Sequence, residues 1–178
     1  MASETLYILS IDPGTRGDNP AGGALLAFDH GEERLVETWL WSPNKGSKAA
    51  HKRIWDIARL ITAELQAFVP CGEFVLCYED AWQGVNPQTF KKLANAGGAI
   101  IGIGASFGLE VRPFLPTQGK AALVGNGHAD ADAMRRAART RFVLTDLPSE
   151  HIAHAIGGGL FVEGELRRAR MAKEAVRA

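Results

Sequence analysis

Two carboxylates in this sequence stand where a strand has to stop. Asp12 follows the apolar, β-rich run TLYILSI (residues 5–11) and precedes Pro13-Gly14, which break a strand, while Glu79 closes the run EFVLCYE (residues 73–79). If those strands are sheet neighbours, the two carboxylates meet above one edge of the sheet. Their chemistry is that of hard oxygen ligands. Such a pair holds Mg²⁺, and two ions roughly 3.5 to 4 Å apart stabilise the attacking water and the leaving oxygen in phosphodiester cleavage. Strand alternation turns Asp80 to the opposite side from Glu79, in a structural or supporting role, and Asp18, in a glycine-rich segment, reads as a turn residue.

Aromatic and basic side chains supply the next set of candidates. Trp82 stands in a loop just after Glu79, beside Gly84 and Asn86. There its ring either stacks on an unpaired base, worth about 1 to 3 kcal/mol per base, or packs into the core. Trp39, Trp41 and Trp55 fall in strand or helix patterns and read as packing. Lys91, Lys92, Arg112, Arg135, Arg136 and Arg139 are candidates for phosphate contacts, which position a protein on nucleic acid without reading bases.

The elements that must position these groups follow from the pattern. The runs GGALLAFD (22–29) and RLVETWLW (34–41), joined across His30-Gly31-Glu32-Glu33, predict a hairpin of antiparallel strands. Ile54, Ile57, Ala58, Ile61, Leu65 and Phe68 recur at helical spacing and predict a helix over residues 48–69 that stops at Pro70. Asn86 followed by Pro87 caps a helix reaching about Phe107, and LEVRPFL (109–115) is a fifth strand. Helices are expected over 118–124 and 129–143, and another opens at Pro148-Ser149 and runs through EHIAHAIGGGLFVEG into an arginine-rich end. Gly97, Gly98, Gly102 and Gly104 punctuate the second helix, where each costs about 1 kcal/mol relative to alanine, and close packing on the sheet or on a second copy would offset that cost. The order describes a mixed α/β sheet covered by helices, with sites outside the strand ends.

Composition bounds the rest. The chain has 178 residues and 46% hydrophobic residues, enough for one globular domain, and its 20 basic side chains balance its 20 acidic ones. That balance hides a division: residues 1–89 carry 7 basic and 12 acidic groups, residues 90–178 carry 13 and 8. The second half therefore suits a polyanionic partner, although a solvated face of mixed sign gives the same count. Cys71 and Cys77 fit neither zinc nor redox spacing and read as free thiols. The start lacks the pattern of a signal peptide, and the longest apolar stretch, Ala94 to Phe107, is too short and glycine-rich to span a bilayer, so a cytoplasmic protein with no membrane partner is expected.

Four blocks, ILSIDPGTRG, YEDAWQGVN, PTQGKAALVGNGHADADAM and LPSEHIAHAIGGG, resemble in order and spacing those of the RuvC-type Holliday junction resolvases, over about residues 6–162. The resemblance implies an RNase H-like fold, a mixed five-stranded sheet with helices on both faces, forming a single domain over residues 1–178 with a charged helical extension from about residue 163. It implies a homodimer that hydrolyses phosphodiester bonds symmetrically near a four-way DNA junction, using Mg²⁺ or Mn²⁺, two ions per site, alongside branch-migration or other recombination proteins. Asp12 and Glu79 become metal ligands, Lys120 a basic group near the scissile phosphate, and Trp82 an aromatic near the junction centre.

The last block departs from the family pattern, since His151 and His154 stand where further acids or a histidine are usual. The resemblance gives His151 a role in positioning or deprotonating water or in stabilising charge, and His154 one in metal binding. Imidazole suits Mn²⁺ better than Mg²⁺. Glu150, one helical turn before His154, or Asp146 is a candidate for the missing carboxylate. Two other classes compete: a catalytically silent junction- or DNA-binding protein of the same fold, and an actin-like ATPase using Asp12-Pro13-Gly14 in a phosphate loop. The latter needs two lobes, and this length holds one.

Overall fold

Strand β1 (Leu6–Asp12) is the centre of the molecule, flanked by β2 (Ala21–Asp29) and β4 (Glu73–Glu79), with β3 (Glu32–Trp41) and β5 (Glu110–Phe114) outside them in the order β3-β2-β1-β4-β5. The computed structural model describes residues 5–14, 20–43, 49–69, 72–81, 86–146 and 149–177. The helices are α1 (Ala50–Phe68), α2 (Pro87–Ser106), α3 (Pro116–Val124), α4 (Ala131–Phe142) and α5 (Glu150–Arg177). Among the described residues no helix is long and apolar enough to cross a membrane.

The sequence pattern explains the sheet. β1, β2 and β3 form the expected antiparallel meander, and His30 and Gly31, both at positive φ, make the tight hairpin turn. β4 and β5 then add in parallel, β4 beside β1. The apolar residues of β1 and β4 serve both faces, as a central strand requires. Leu9, Ile11, Leu76 and Tyr78 pack with Ile61 and Leu65 of α1 and Ile100 of α2. The alternate residues Leu6, Ile8, Val75 and Cys77 pack with Val162 and Leu166 of α5. Asp12 and Glu79 share the parity of this second set and so face α5.

Helix starts follow local chemistry. Asn86 accepts a hydrogen bond from the Thr89 N–H at 2.9 Å, with Pro87 at the first helical position. Asp130 caps α4 by accepting from the Ala133 N–H at 2.7 Å, so this helix begins two residues later than the pattern predicts. α3 begins two residues earlier, because Pro116 fits its first turn and the Gln118 side chain accepts from the Leu115 N–H at 2.7 Å.

α5 continues unbroken through Gly157, Gly158 and Gly159. All three are close-approach positions. A Cβ on Gly157 would come within 2.5 Å of the Gly119 carbonyl oxygen of α3, one on Gly158 within 2.1 Å of the Phe114 ring, and one on Gly159 within 2.5 Å of Leu26. The glycines let one helix lie against the sheet and α3 at once, and tertiary packing outweighs their poor helix propensity. In α2, by contrast, Gly97 and Gly104 press on Tyr78 and Val111 while Gly98 and Gly102 face open space.

The tryptophans divide. Trp39 and Trp41 stack with ring centroids 5.6 Å apart, and Trp39 meets Phe68 edge-on, as packing residues should. Trp55 does not pack: it is 62% exposed on α1, because helical spacing alone does not separate the core-facing stripe of Ile57, Ile61 and Leu65 from its flank. Cys77 is a buried free thiol whose pKa burial pushes up to about 12, while Cys71 lies outside the described residues.

Candidate metal centre

Parallel pairing of β1 with β4 runs Leu6 beside Glu73 through Ile11 beside Tyr78, and one further step along this register sets Asp12 level with Glu79. Both strands end there, so the carboxylates emerge side by side, yet they are only 3% and 8% exposed. Two buried anions at one strand end are unstable without positive charge. α5 provides it. Ser149 caps the helix by accepting from the His151 N–H at 3.1 Å, and the first turns aim His151 and His154 at the carboxylates.

Asp12 is held on both oxygens. Its Oδ1 accepts from the N–H of Gly14 at 3.0 Å, which Gly14 reaches by adopting φ 65°. Its Oδ2 lies 2.8 Å from His151 Nδ1 and 3.5 Å from His154 Nδ1. The same His154 nitrogen is 3.6 Å from Glu79 Oε2, an ion-pair distance too long for a hydrogen bond. Among the described residues, Glu79 Oε2 is consequently buried with no hydrogen-bond partner.

The protonation preferences follow from this geometry. Burial alone would raise the Asp12 carboxyl, but bonds from His151 and His154, and their charge, hold it below the usual range. Glu79 goes the other way: burial first, then the neighbouring Asp12 charge, raises it. The hydrogen bond to Asp12 raises His151. Burial opposes the charged form of His154, yet the two carboxylates together bring its pKa up to about 10. A proton on His154 thus supplies the countercharge that the carboxylates need.

This arrangement fits a divalent cation. Asp12, Glu79 and His154 each offer a ligand atom, and these atoms lie within 4.8 Å of one another. The orphaned Glu79 oxygen is a ready ligand. Oxygen, oxygen and imidazole nitrogen suit Mg²⁺ and, better, Mn²⁺.

The other candidates are distributed differently. Among the described residues this three-residue group excludes Glu150, which is exposed at the first position of α5. Lys120 is half-buried on α3, next to Gly119, which packs against Gly157 and Gly158 just beyond the histidines. Lys91 and Lys92 are exposed in α2, and Arg112 of β5 forms an ion pair with Glu110 at 2.6 Å. Arg135 lies 3.7 Å from Asp132. Trp82 and Asp18 lie outside the described residues. Asp80 bonds the Ala81 N–H, and its charge bears on Tyr78, on the face opposite Glu79.

Sequence reasoning missed Gly22. It pairs with Asp12 across β1 and β2, and a Cβ there would lie 2.4 Å from the carbonyl carbon and oxygen of His151. Only glycine lets the start of α5 descend far enough for His151 to reach Asp12. Its signal in the sequence was a glycine pair at the start of an otherwise apolar strand.

Comparison with known proteins identifies a family and a fold. The family model described as crossover junction endodeoxyribonuclease RuvC matches residues 8–158. The chain is 29% identical over 154 residues to the crossover junction endodeoxyribonuclease RuvC of Hydrogenovibrio crunogenus, covering 86% of this chain and 84% of the relative. It is 30% identical over 152 residues to that of Anaeromyxobacter sp. (strain K), covering 85% and 78%. The fold matches Thermus thermophilus RuvC with a TM-score of 0.73 at 22% identity, over 92% of this chain and 96% of that one. T. thermophilus RuvC in complex with Holliday junction substrate matches with a TM-score of 0.76 at the same identity.

Proposed function

The chain belongs to the RuvC family, and from that premise we propose that it is a metal-dependent endonuclease that resolves four-way DNA junctions as a homodimer, cutting two strands symmetrically. The observation that carries this reading is the group of buried Asp12 and Glu79 with half-buried His154 at the end of two parallel strands, with ligand atoms within 4.8 Å and one carboxylate oxygen unpartnered among the described residues.

Asp12, Glu79 and His154 would hold Mg²⁺ or Mn²⁺, two ions per site, with the imidazole favouring Mn²⁺. When bound, such ions polarise the scissile phosphate and help generate the nucleophile from water. The protein's own groups do the rest. Asp12 orients His151 through the 2.8 Å contact to Nδ1, which leaves Nε2 to accept a proton from water. Lys120 contributes positive charge where negative charge develops on the phosphate. Lys91 and Lys92 contact the DNA backbone, Arg112 does so by exchanging Glu110 for a phosphate, and Trp82 stacks on an unpaired base near the branch point.

Dimerisation is supported by α2. Phe90 (38% exposed), Ala94, Gly98, Ile101 (48% exposed) and Ala105 lie along one exposed side of this helix, at spacings of three and four. The side is apolar, has small residues that permit close approach, and α2 carries no acidic residue. Cleavage of a synthetic four-way junction into ligatable, symmetrically nicked duplexes with Mg²⁺ or Mn²⁺ tests the reading, and absence of cleavage with both ions would overturn it.

A further inference from the structure

Trp55 is the most exposed aromatic side chain on the described surface, and the metal centre has no use for it. A tryptophan this open on a helix forgoes most of the burial that makes the residue favourable in a core. Its surroundings are specific. The Arg59 guanidinium sits over the ring, 5.5 Å from its centroid, and Lys52 is exposed one turn before it on the same side of α1.

The topology places this group. β3 ends at Trp41, paired with Ala21, and the next residue of β2, Gly22, pairs with Asp12. α1 therefore sets out from the end of the sheet that carries the carboxylates, and returns towards the end where β4 begins. α2 also starts from the carboxylate end, after Glu79, and exposes Lys91 and Lys92 in its second turn. In the first fourteen residues of α1 the one acid, Asp56, is buried. The described leading halves of α1 and α2 thus present cations without an exposed carboxylate.

We propose that Lys52, Trp55 and Arg59 form a second DNA-contacting surface, on the sheet face opposite α5. It grips the backbone of a DNA arm leaving the metal centre. Lys52 and Arg59 take phosphates, and the Trp55 ring packs against the sugar or an exposed base. Charge selects DNA over a protein partner here, since a positive surface with one aromatic platform is the pattern of sequence-independent nucleic-acid binding. The inference rests on the functional reading above and adds to it a contact that the family blocks do not include.

The test is fluorescence anisotropy of a labelled four-way junction without divalent ions, across a salt series, for the full chain and three variants. Trp55→Ala is expected to weaken binding at least fivefold while Trp55→Phe restores most of it. Lys52→Gln with Arg59→Gln is expected to reduce the slope of log affinity against log salt by about 1.8, or about 0.9 per lost phosphate contact. Unchanged affinity and slope in variants of a chain that itself binds the junction would overturn this surface alone. A wild-type chain that binds no junction would overturn it together with the functional reading. Variants that instead alter the sedimentation of the free protein would assign the face to a second copy and likewise overturn the proposal.

Discussion

His151 Nδ1 lies 2.8 Å from Asp12 Oδ2 although 139 positions separate the two residues. The contact ties the start of the last helix to the end of the first strand, so the proposed metal centre forms only when the whole fold has closed around it. Two glycine approaches make it feasible, one at Gly22 under the first turn of α5 and one at Gly158 over Phe114.

Those approaches should respond to a single methyl group. Gly158→Ala is expected to lower stability by about 1 to 3 kcal/mol or more, the usual cost of overpacking. Gly22→Ala should also displace His151 and slow cleavage beyond its effect on folding. Gly164→Ala in α5, where a Cβ meets only the flexible Arg168 guanidinium at 3.5 Å, is the control and should raise the melting temperature slightly. Thermal melts of the three variants check this ordering.

The exposed side of α2 makes the dimer testable. Ile101 is half exposed in one chain, so Ile101→Glu should leave the fold intact. If α2 meets its copy, two buried carboxylates would face the interface, and sedimentation should show monomer at concentrations where the wild type is a dimer. Cleavage by this variant should lose its symmetry.

On the proposed ligand set, His154 sets the choice of ion. Replacing imidazole by a carboxylate hardens the ligand set, so His154→Asp should raise the ratio of Mg²⁺- to Mn²⁺-supported cleavage by about tenfold or more, as ligand softness dictates. His154→Ala should lose activity with both. An unchanged ratio in His154→Asp would remove His154 from the ligand set. A His154→Asp protein active where the wild type is silent would favour the non-catalytic reading of the natural chain.

Metal affinity should depend on pH with a definite sign. His154 keeps its proton up to about pH 10 in the metal-free protein, and it must give up that proton to bind an ion. Mn²⁺ binding should therefore tighten from pH 6.5 to 8.5, with release of protons visible as a buffer-dependent heat in calorimetry. Without metal the linkage runs the other way. A raised folded pKa stabilises the protein fully below the ordinary histidine value of 6.5 and ceases to do so as pH rises through about 10.

Much of this was legible in the sequence because the signals were local. Asp12-Pro13-Gly14 ends a strand, Asn86-Pro87 starts a helix, and His30-Gly31 turns a hairpin, each through the chemistry of its own residues. That two carboxylates follow strands of similar pattern was also visible, and the family blocks pointed to the histidines. What was hidden depends on contacts between distant segments. Gly157, Gly158 and Gly159 read as a weakness in a helix until Gly119, Phe114 and Leu26 are set against them. Glu150 shares a helical face with His154 in sequence, but at the first position of α5 it is exposed and lies outside the ligand group. Trp55 read as core because period alone does not say which flank of a helix is covered.

The most direct measurement is cleavage of a synthetic four-way junction by the wild type, Asp12→Asn and Glu79→Gln, titrated with Mn²⁺ and Mg²⁺ alongside junction binding. The wild type is expected to cut symmetrically, and each variant to bind the junction yet cut at least a thousandfold more slowly, the order of effect, roughly 4 kcal/mol, for losing a group that stabilises the transition state. Undiminished cleavage by either variant would contradict the assignment of the metal centre.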